Sequence, residues 1–578
     1  MSASLNQTST TNRSQSKRKK FANPNRGDID EVFDDEWEET VLGPRKRLLQ
    51  PVGVNFESLP QNAYEFVKIK TNDLKILSEN IGKTYLPHSR DPFSIVLANS
   101  DPFRVSQFES CTLNDKLPRK VGHIFNVGGS IWAMDWCPNI QNQHDQYLAI
   151  GGYKSTTEEH HYIARRQKND VNYAIQIWKI DCQDDPTSIE DPKLDIVICH
   201  EYGCTFDLQW CPYGAQDNCK DSFEGQSEHF IPKLGILAAS FSDGSIGIFA
   251  IPKPDYVRHK FGLSQDSNKP LFVKFLKPLL VLSLPQVLCW TISWGGHKKI
   301  ATGCTNGDIA IWDIEDILTS NITNKNLSDS EVVPIRYFRA HDSCIRQIAW
   351  NSMENPSHTL SCGHDGRLLI FNEREPWFKN MIQRIRAFMM TTCWPCHYGG
   401  IAFADTDNTV RYIRMDDLKK TTGIIMHHAN VFRISASYFH PFMASCSADG
   451  TVKMANICRL RDRHQVDIIL YSVFFIFQLE IIIFIHGLPY SISPSQKPIQ
   501  VTLYRIGLDE DQKTILFWDN IKSQETTATY HTPQAFSHFF KPEVSIQRIA
   551  WNPNFNAGTW IASGGTLGLV RVESADRE

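Results

Sequence analysis

Apolar residues recur along the chain in a repeated two-strand pattern: an apolar strand, a tight turn built on Asp, Asn or Gly, and a second apolar strand. Each copy can bury only one face of its sheet, so the copies must stack and share a core. Self-similarity at such intervals is the sequence signature of a propeller. The pattern therefore predicts an all-β fold, a seven-bladed β-propeller. In chain order the copies are Tyr147–Ile180, Ile236–Ile251, Lys299–Ile314, Thr359–Glu373, Ile401–Met415, Met443–Ile457 and Trp560–Ser574.

A further strand that ends in an aromatic residue stands ahead of most copies. The Pro or Asn that follows the aromatic residue ends the strand and opens a turn. Together with the two-strand pattern, it supplies three of the four strands of a blade. The fifth copy is the weakest, with Thr391–Cys396 in the place of this strand. The other examples are Ser130–Pro138, Cys204–Pro212, Val287–Trp294, Cys344–Ser352, Val431–Pro441 and Ser545–Pro553.

Closure of the ring needs one more strand, because the chain stops soon after Val570–Val572 and leaves the last blade without an outer strand. The segment Lys120–Asn126, ahead of the first copy, is predicted to supply it. Such pairing would tie the two ends of the propeller together and remove an exposed sheet edge. The predicted propeller domain covers residues 120–574.

Residues 1–110 carry no copy of the pattern and are predicted to be a mostly disordered N-terminal extension. Residues 1–25 are rich in Ser, Thr, Asn and Lys, a composition that cannot bury enough apolar surface to fold. These residues include a basic run, Lys17, Arg18, Lys19 and Lys20. The run is either a nuclear import signal or a solvated tail.

An acidic stretch, Asp28–Thr40, follows the basic run and contains two aromatic residues. Phe33 and Trp37 lie four residues apart, so on a helix they would share one face. The stretch is either a docking motif for a partner or a solvated acidic linker.

The composition supports a large core and protein partners. Of the 578 residues, 41% are apolar and 14 are Trp, while the net charge is only −4. A protein that held nucleic acid mainly through its own phosphate contacts would carry a stronger basic bias. The 15 cysteines are scattered, mostly within apolar strands, and no apolar signal segment begins the chain. Reduced core thiols and an intracellular location are therefore expected.

The copies resemble degenerate WD repeats. The closing Trp-Asp pair of that family is present once, and its turn Asp is kept in three copies. The resemblance implies that His341, Ser361 and Asp365 form a buried hydrogen-bonded network, with Phe371 in the place of the donor Trp. These residues are expected to be structural rather than catalytic. The matching positions are His341, Ser361, Asp365, Asp243, Asp449, Trp312 and Asp313.

A narrower resemblance rests on three segments: Phe125–Pro138, Ala340-His341 leading to Gln347–Trp350, and Gly564–Val572. They are similar to the WD-repeat subunits of general transcription factor IIIC. The resemblance implies a nuclear, non-enzymatic scaffold that binds other subunits of the complex, especially the largest one. It also implies a role in promoter recognition for RNA polymerase III transcription of tRNA and 5S rRNA genes. Promoter DNA is expected to be reached through the complex rather than by direct contact.

The alternative function is a generic WD-repeat scaffold or substrate adaptor, for instance a ubiquitin ligase receptor. Affinity purification separates the two, since the co-purifying proteins would be factor IIIC subunits in one case and ligase components in the other.

Other motifs do not support catalysis or ligand binding. Gly151–Thr156 has Tyr153 where a phosphate-binding loop needs Gly before its Lys. Cys393–Cys396, followed by His397, has no second ligand pair at zinc-finger spacing. No His, carboxylate and nucleophile set can be assembled from the sequence. No catalytic, cofactor-binding or metal-binding residue is expected.

One apolar segment interrupts the repeat. Residues 466–496 include Ile468–Ile485, which reaches the minimum length of a membrane helix. Glu480 lies inside it and would cost about 2.5 kcal/mol or more in a membrane, and both flanks belong to one ring, so no membrane span is expected.

Translated intron sequence explains this segment better. It begins with Val466, whose codons start with GT, and ends with Gln496, which CAG encodes. Sequencing of the transcript tests this hypothesis, which is wrong if all mature messages keep those codons.

Overall fold

The computed structural model describes residues 59–575, with gaps at 89–90, 98–99, 118–119, 139–144, 156–171, 184–189, 218–229, 264–268, 324–331, 397–398, 416, 458–499, 510–513 and 522–539. The basic run, the acidic stretch and the apolar segment 466–496 therefore lie outside the described residues. Residues 156–171, between the two strands of the first copy, also lie outside the described residues.

Short strands joined by tight turns make up most of the described chain. The first strands are β1 (Ile69–Lys70), β2 (Leu74–Ile76), β3 (Phe93–Leu97), β4 (Phe103–Val105), β5 (Ser110–Thr112), β6 (Gly122–Asn126), β7 (Ile131–Trp136), β8 (Asp145–Gly152), β9 (Tyr173–Asp181), β10 (Lys193–His200), β11 (Thr205–Trp210) and β12 (Phe230–Ile231). The next strands are β13 (Lys233–Phe241), β14 (Ile246–Pro252), β15 (Leu271–Phe275), β16 (Leu280–Leu282), β17 (Cys289–Gly295), β18 (Lys299–Cys304), β19 (Asp308–Asp313), β20 (Arg336–Arg339), β21 (Ile345–Trp350), β22 (His358–Gly363), β23 (Arg367–Asn372) and β24 (Asn380–Arg384). The last strands are β25 (Thr392–Cys393), β26 (Gly400–Ala404), β27 (Thr409–Arg414), β28 (Asp417–Met426), β29 (Val431–Ala436), β30 (Phe442–Ser447), β31 (Thr451–Asn456), β32 (Gln500–Leu508), β33 (Thr514–Ile521), β34 (Ile546–Trp551), β35 (Trp560–Gly565) and β36 (Leu569–Ser574).

Three α-helices occur in the described part: α1 (Glu79–Gly82), α2 (Pro254–Lys260) and α3 (Ile314–Thr323). None of them is long and apolar enough to cross a membrane.

The described strands form sheets that run outward from the first strand of each predicted blade. Seven sheets have four or more strands, and they are called the first to the seventh sheet in the order that follows. Their strand orders are β7-β8-β9-β10-β15-β2, β11-β13-β14-β16, β17-β18-β19-β20, β21-β22-β23-β24, β25-β26-β27-β28, β29-β30-β31-β32-β33-β3-β4 and β34-β35-β36-β6-β5. The first strands of successive sheets lie side by side, and β34 of the last lies beside β7 of the first. This radial arrangement is an all-β propeller.

Asp or Asn followed by Gly makes the tight turn of most copies, for a conformational reason. In the fourth sheet Gly366 has φ of +71°, and a Cβ there would lie 2.4 Å from the Ile385 carbonyl oxygen. Glycine adopts this left-handed conformation without steric cost. The fifth sheet has Asn408 at φ of +60° instead, which Asn tolerates better than most residues.

The aromatic residue at the end of an inner strand links neighbouring sheets. The indole N–H of Trp294 donates to the Gln209 carbonyl oxygen at 3.0 Å, and that of Trp350 donates to the Ser293 carbonyl oxygen at 3.1 Å. Trp136 donates in the same way to Ala550, at 3.2 Å, across the junction of the first and last sheets. In these three cases the terminal Trp is therefore a hydrogen-bonded contact between adjacent sheets as well as a core side chain.

The predicted closing strand is confirmed. β6 pairs antiparallel with β36, with Phe125 opposite Val570 and His123 opposite Val572. Both ends of the propeller therefore share the seventh sheet, and β5 pairs with the outer side of β6.

The N-terminal extension is shorter than predicted. Within residues 59–110, β2 pairs with β15 of the first sheet and β3 pairs in parallel with β33 of the sixth. In β3, Ile95 and Leu97 are almost completely buried. These strands are too short and too irregularly spaced to show the repeat, but they cover outer sheet edges that would otherwise be exposed. The prediction of disorder for residues 1–58 lies outside the described residues.

Candidate functional site: buried hydrogen-bond networks and an exposed aromatic face

The WD-type residues of the fourth sheet meet in a buried network. His341 lies in the loop before β21, Ser361 in β22, and Asp365 in the turn between β22 and β23. The His341 Nδ1 atom is 2.8 Å from Asp365 Oδ1, and its Nε2 atom is 2.8 Å from Ser361 Oγ. Phe371, in the place of the donor Trp, is buried against Phe338. The network joins a loop, a strand and a turn of one sheet, and it has no access to a substrate because His341 is fully buried.

Asp365 makes this network sensitive to acid. Burial alone would raise the pKa of Asp365, but hydrogen bonds from His341 and from the Asp342 and Arg367 amides outweigh it and lower the pKa to about 2. A lowered carboxyl pKa contributes stability that is present above the unfolded value near 4 and is lost as the pH falls through the folded value.

We expect the melting temperature of the protein to fall between about pH 4 and pH 2, and this fall to be smaller in Asp365→Asn. Thermal melts across that range measure the difference. The matched control is Asp407→Asn, in an exposed turn of the fifth sheet, which should keep the wild-type profile. An Asp365→Asn profile that parallels the wild type would contradict this role for Asp365.

A second network of this kind lies in the sixth sheet around His427. Its Nδ1 atom is 2.9 Å from Thr451 Oγ1, and its Nε2 atom is 2.8 Å from Ser445 Oγ. Asp449 accepts hydrogen bonds from the Thr451 amide and hydroxyl and from the amide of His428. The WD-type pattern predicts Asp449 but not His427. The signal was present, because His427 precedes an inner strand as His341 does.

The other WD-type positions have local structural roles. Asp243 accepts hydrogen bonds from the amide and hydroxyl of Ser245, which closes the turn of the second sheet. Trp312 is fully buried, and its indole N–H donates to the Val332 carbonyl oxygen at 3.1 Å. Asp313 accepts from the Asp316 amide at 3.1 Å and so caps the N-terminus of α3.

Side chains close one end of the central channel. A β-bulge at the second residue of the inner strands displaces Trp132, Phe206, Trp290 and Arg346 from the regular ladder. Trp132 of the first sheet and Trp290 of the third have ring centroids 6.0 Å apart, although the second sheet lies between them in the ring. Arg548 of the seventh sheet donates to the Phe206 carbonyl oxygen of the second at 3.0 Å. This arrangement provides a plug rather than an open substrate pocket.

No metal site emerges in the described part of the chain. There, no group of three or more His, Cys, Asp or Glu side chains could hold a metal ion. Cys393 lies in β25, and burial raises its pKa to about 11, which disfavours the reactive thiolate. Its motif partner His397 lies outside the described residues.

An exposed apolar surface, here called the outer aromatic face, lies on the third and fourth sheets. It consists of residues on and before β20, residues in the loop that leads into β24, and one residue of β24. Trp377 is 72% exposed and Phe378 is 67% exposed. Such large side chains in contiguous exposed positions mark an interaction surface. The members of the face are Val333, Ile335, Tyr337, Trp377, Phe378 and Met381.

Contacts between the two sheets bring the two halves of this face together. The Arg336 side chain of β20 donates to the Glu373 carbonyl oxygen at 3.2 Å, and Lys379 donates to the Ala340 carbonyl oxygen at 3.1 Å. Lys299 forms an ion pair of 2.5 Å with Glu373. β20 and β24 are also the outermost strands of their sheets, so their outer edges have no partner strand among the described residues. The face could not be predicted from the sequence, because single exposed aromatic residues in loops form no periodic pattern.

Cations predominate around the outer aromatic face. In residues 333–339 and 373–381, the exposed charged residues are Arg336, Arg339, Arg374, Lys379 and Glu375. The face therefore suits an apolar partner segment that carries negative charge.

The sequence has relatives among transcription factor subunits. It is 23% identical over 544 residues to transcription factor tau subunit sfc6 of Schizosaccharomyces pombe, covering 92% of this chain and 80% of that protein. It is 26% identical to the human general transcription factor 3C polypeptide 2, covering 58% of this chain but only 38% of that protein. With the transcription factor tau 91 kDa subunit of Saccharomyces cerevisiae it shares 24% identity, over 72% of this chain and 53% of that protein.

The family model "WD domain, G-beta repeat" matches residues 419–456, which run from β28 through β31. This match covers the copy that contains the His427 network. The chain is thus a β-propeller with a WD-repeat match at residues 419–456, and over much of its length it is similar to subunits of the transcription factors tau and IIIC.

Proposed function

We propose that this protein is a non-enzymatic scaffold subunit of a factor IIIC-type complex that acts in the nucleus. The observation that carries the proposal is the similarity to transcription factor tau subunit sfc6, which extends over 92% of this chain and 80% of that relative. In this proposal the protein supports promoter recognition and RNA polymerase III transcription of tRNA and 5S rRNA genes, and the basic run Lys17–Lys20 serves nuclear import.

We infer that the ring has seven blades, one for each sheet of four or more described strands. Support comes from the order of the inner strands around the ring. Each lies beside the next in the order β7, β11, β17, β21, β25, β29 and β34, and β34 lies beside β7. Each of these strands begins a sheet at a separate copy of the sequence pattern. We further propose that the domain covers residues 120–574 with added strands from residues 59–119, and that residues 466–496 are an insertion into it.

The function of the propeller is to present surfaces to other subunits, the largest one in particular. Its central channel is plugged at one end, and the buried histidine networks stabilise turns. The outer aromatic face offers what a protein interface needs: exposed aromatic side chains with arginines at the border. Contact with promoter DNA is expected through the complex, because the net charge of −4 gives little attraction for phosphates.

Affinity purification of the tagged full-length protein from its own cells tests the proposal. Mass spectrometry should identify the other subunits of a factor IIIC-type complex at comparable abundance. Recovery of ubiquitin ligase components instead would support the adaptor function and contradict this one.

The double variant Trp377→Ala, Phe378→Ala should reduce recovery of these subunits at least about tenfold, because exposed aromatic anchors dominate interface energies. Its melting temperature should stay close to that of the wild type, since both side chains are exposed. The matched control is Phe555→Ala, an aromatic residue that is 53% exposed near the seventh sheet. Equal recovery with the double variant and this control would show that the partners dock elsewhere.

A further inference from the structure

The described chain begins against loops of the second and third sheets, where the Tyr64 amide donates to the Gly214 carbonyl oxygen. Residues 1–58 precede Leu59, and the nearby Tyr64 hydroxyl donates to the His297 carbonyl oxygen of the third sheet at 2.5 Å. Tyr64 is almost completely buried there, so this contact anchors the start of the described chain.

A short series of contacts leads from this anchor to the face. His297 lies in the turn that leads into β18, two residues before Lys299. Lys299 is paired with Glu373, at the start of the loop that carries Trp377 and Phe378. The described chain is therefore anchored at the third sheet, which also carries β20 of the outer aromatic face.

The acidic stretch in those residues has chemistry complementary to the face. Asp28–Thr40 contains eight Asp and Glu residues among thirteen, together with Phe33 and Trp37. The borders of the face carry Arg336, Arg339, Arg374 and Lys379, while Glu373 is already paired with Lys299. Opposite charges would mainly fix the position of the segment on the face. The aromatic side chains would contribute most of the binding energy.

A linker of eighteen residues, 41–58, joins the acidic stretch to the described chain, since it separates Thr40 from Leu59. A chain of that length spans up to about 60 Å when extended. A linker this short keeps the acidic stretch at a high effective concentration near the face. Docking within one chain is therefore favoured over binding of the same segment from another molecule.

We propose that the acidic stretch Asp28–Thr40 docks intramolecularly on the outer aromatic face, with Phe33 and Trp37 against the apolar side chains and its carboxylates beside the bordering cations. The segment covers the surface that we propose for partner subunits, so partners compete with it for the face. The contact itself does not depend on the identity of those partners.

Site-specific photo-crosslinking in the full-length protein tests this contact. Benzoylphenylalanine replaces Trp377, and after irradiation the crosslinked peptides are mapped by mass spectrometry. The expected partner peptide contains residues 28–40. The double variant Phe33→Ala, Trp37→Ala should lower this crosslink about tenfold, while the same probe at Phe555 should give no crosslink to residues 28–40.

An equal mixture of light and isotope-labelled chains identifies the source of the segment. Crosslinks within one chain support the proposal. Crosslinks that join light and heavy chains would overturn it in favour of contact between two copies, and crosslinks to other peptides only would overturn it altogether. None of these outcomes depends on recovery of factor IIIC subunits, so failure here is distinguishable from failure of the proposed function.

Discussion

Phe125→Ala should lower the free energy of unfolding by about 3–5 kcal/mol, the usual cost of removing a fully buried Phe side chain. Phe125 lies in β6, the strand that closes the seventh sheet, and it is completely buried. The ring centroids of Phe125 and Trp178, which lies in β9 of the first sheet, are 4.4 Å apart. The substitution therefore leaves a cavity where the last sheet meets the first, and it weakens the pairing that holds the ring closed.

Chemical denaturation of the wild type and the variant measures this effect. Phe555→Ala removes the same atoms from a half-exposed position and should change the free energy of unfolding by no more than about 0.5 kcal/mol. Deletion of residues 120–126 should lower the melting temperature sharply, because it exposes the edge of β36. An unchanged melting temperature in the deletion variant would contradict closure by β6.

Arg571→Met should cost about 3–5 kcal/mol, because it leaves buried carboxylates without their main partner. Arg571 in β36 is almost completely buried, and it pairs with Asp519 of β33 and with Glu573 at 2.7 Å. Burial alone would lower the pKa of Arg571, but the two carboxylates outweigh it and raise the pKa above its usual value. Lys120 lies 3.7 Å from Glu573 and completes the cluster. It joins the closing segment to the sixth and seventh sheets.

Arg367→Met is the matched control for this prediction. Arg367 is 25% exposed and pairs with Asp342, which is 65% exposed, so its loss should cost less than about 1 kcal/mol. Addition of Asp519→Leu to Arg571→Met should recover part of the lost stability, because it removes one of the unpaired buried charges. Equal stability of Arg571→Met and Arg367→Met would show that the buried cluster contributes little.

The propeller fold could be predicted because its strands obey a strict local pattern. Alternating apolar residues, a Gly or Asn in the left-handed turn, and a terminal aromatic residue such as Trp350 recur in most of the sheets. The closing strand could be predicted as well, since the last copy lacks an outer strand and Phe125 lies in an apolar segment ahead of the first copy.

The outer strands and the outer aromatic face could not be predicted from the sequence, because they depend on contacts between residues that are far apart along the chain. β3 is a run of five residues whose partner, β33, lies more than 400 residues away. The network of His427 is not evident from the sequence, because the adjacent pair His427-His428 alternates between opposite faces and does not by itself indicate a partner. His427 is indeed buried and His428 exposed, but the Ser445 and Thr451 partners become evident only when β30 and β31 are folded beside it.

Depletion of this protein in its own cells, followed by sequencing of nascent transcripts, tests directly whether it acts in RNA polymerase III transcription. Synthesis of tRNA and 5S rRNA should fall as the protein is depleted, while most messenger RNA synthesis should be maintained. Unchanged tRNA and 5S rRNA synthesis after full depletion would contradict a role in RNA polymerase III transcription.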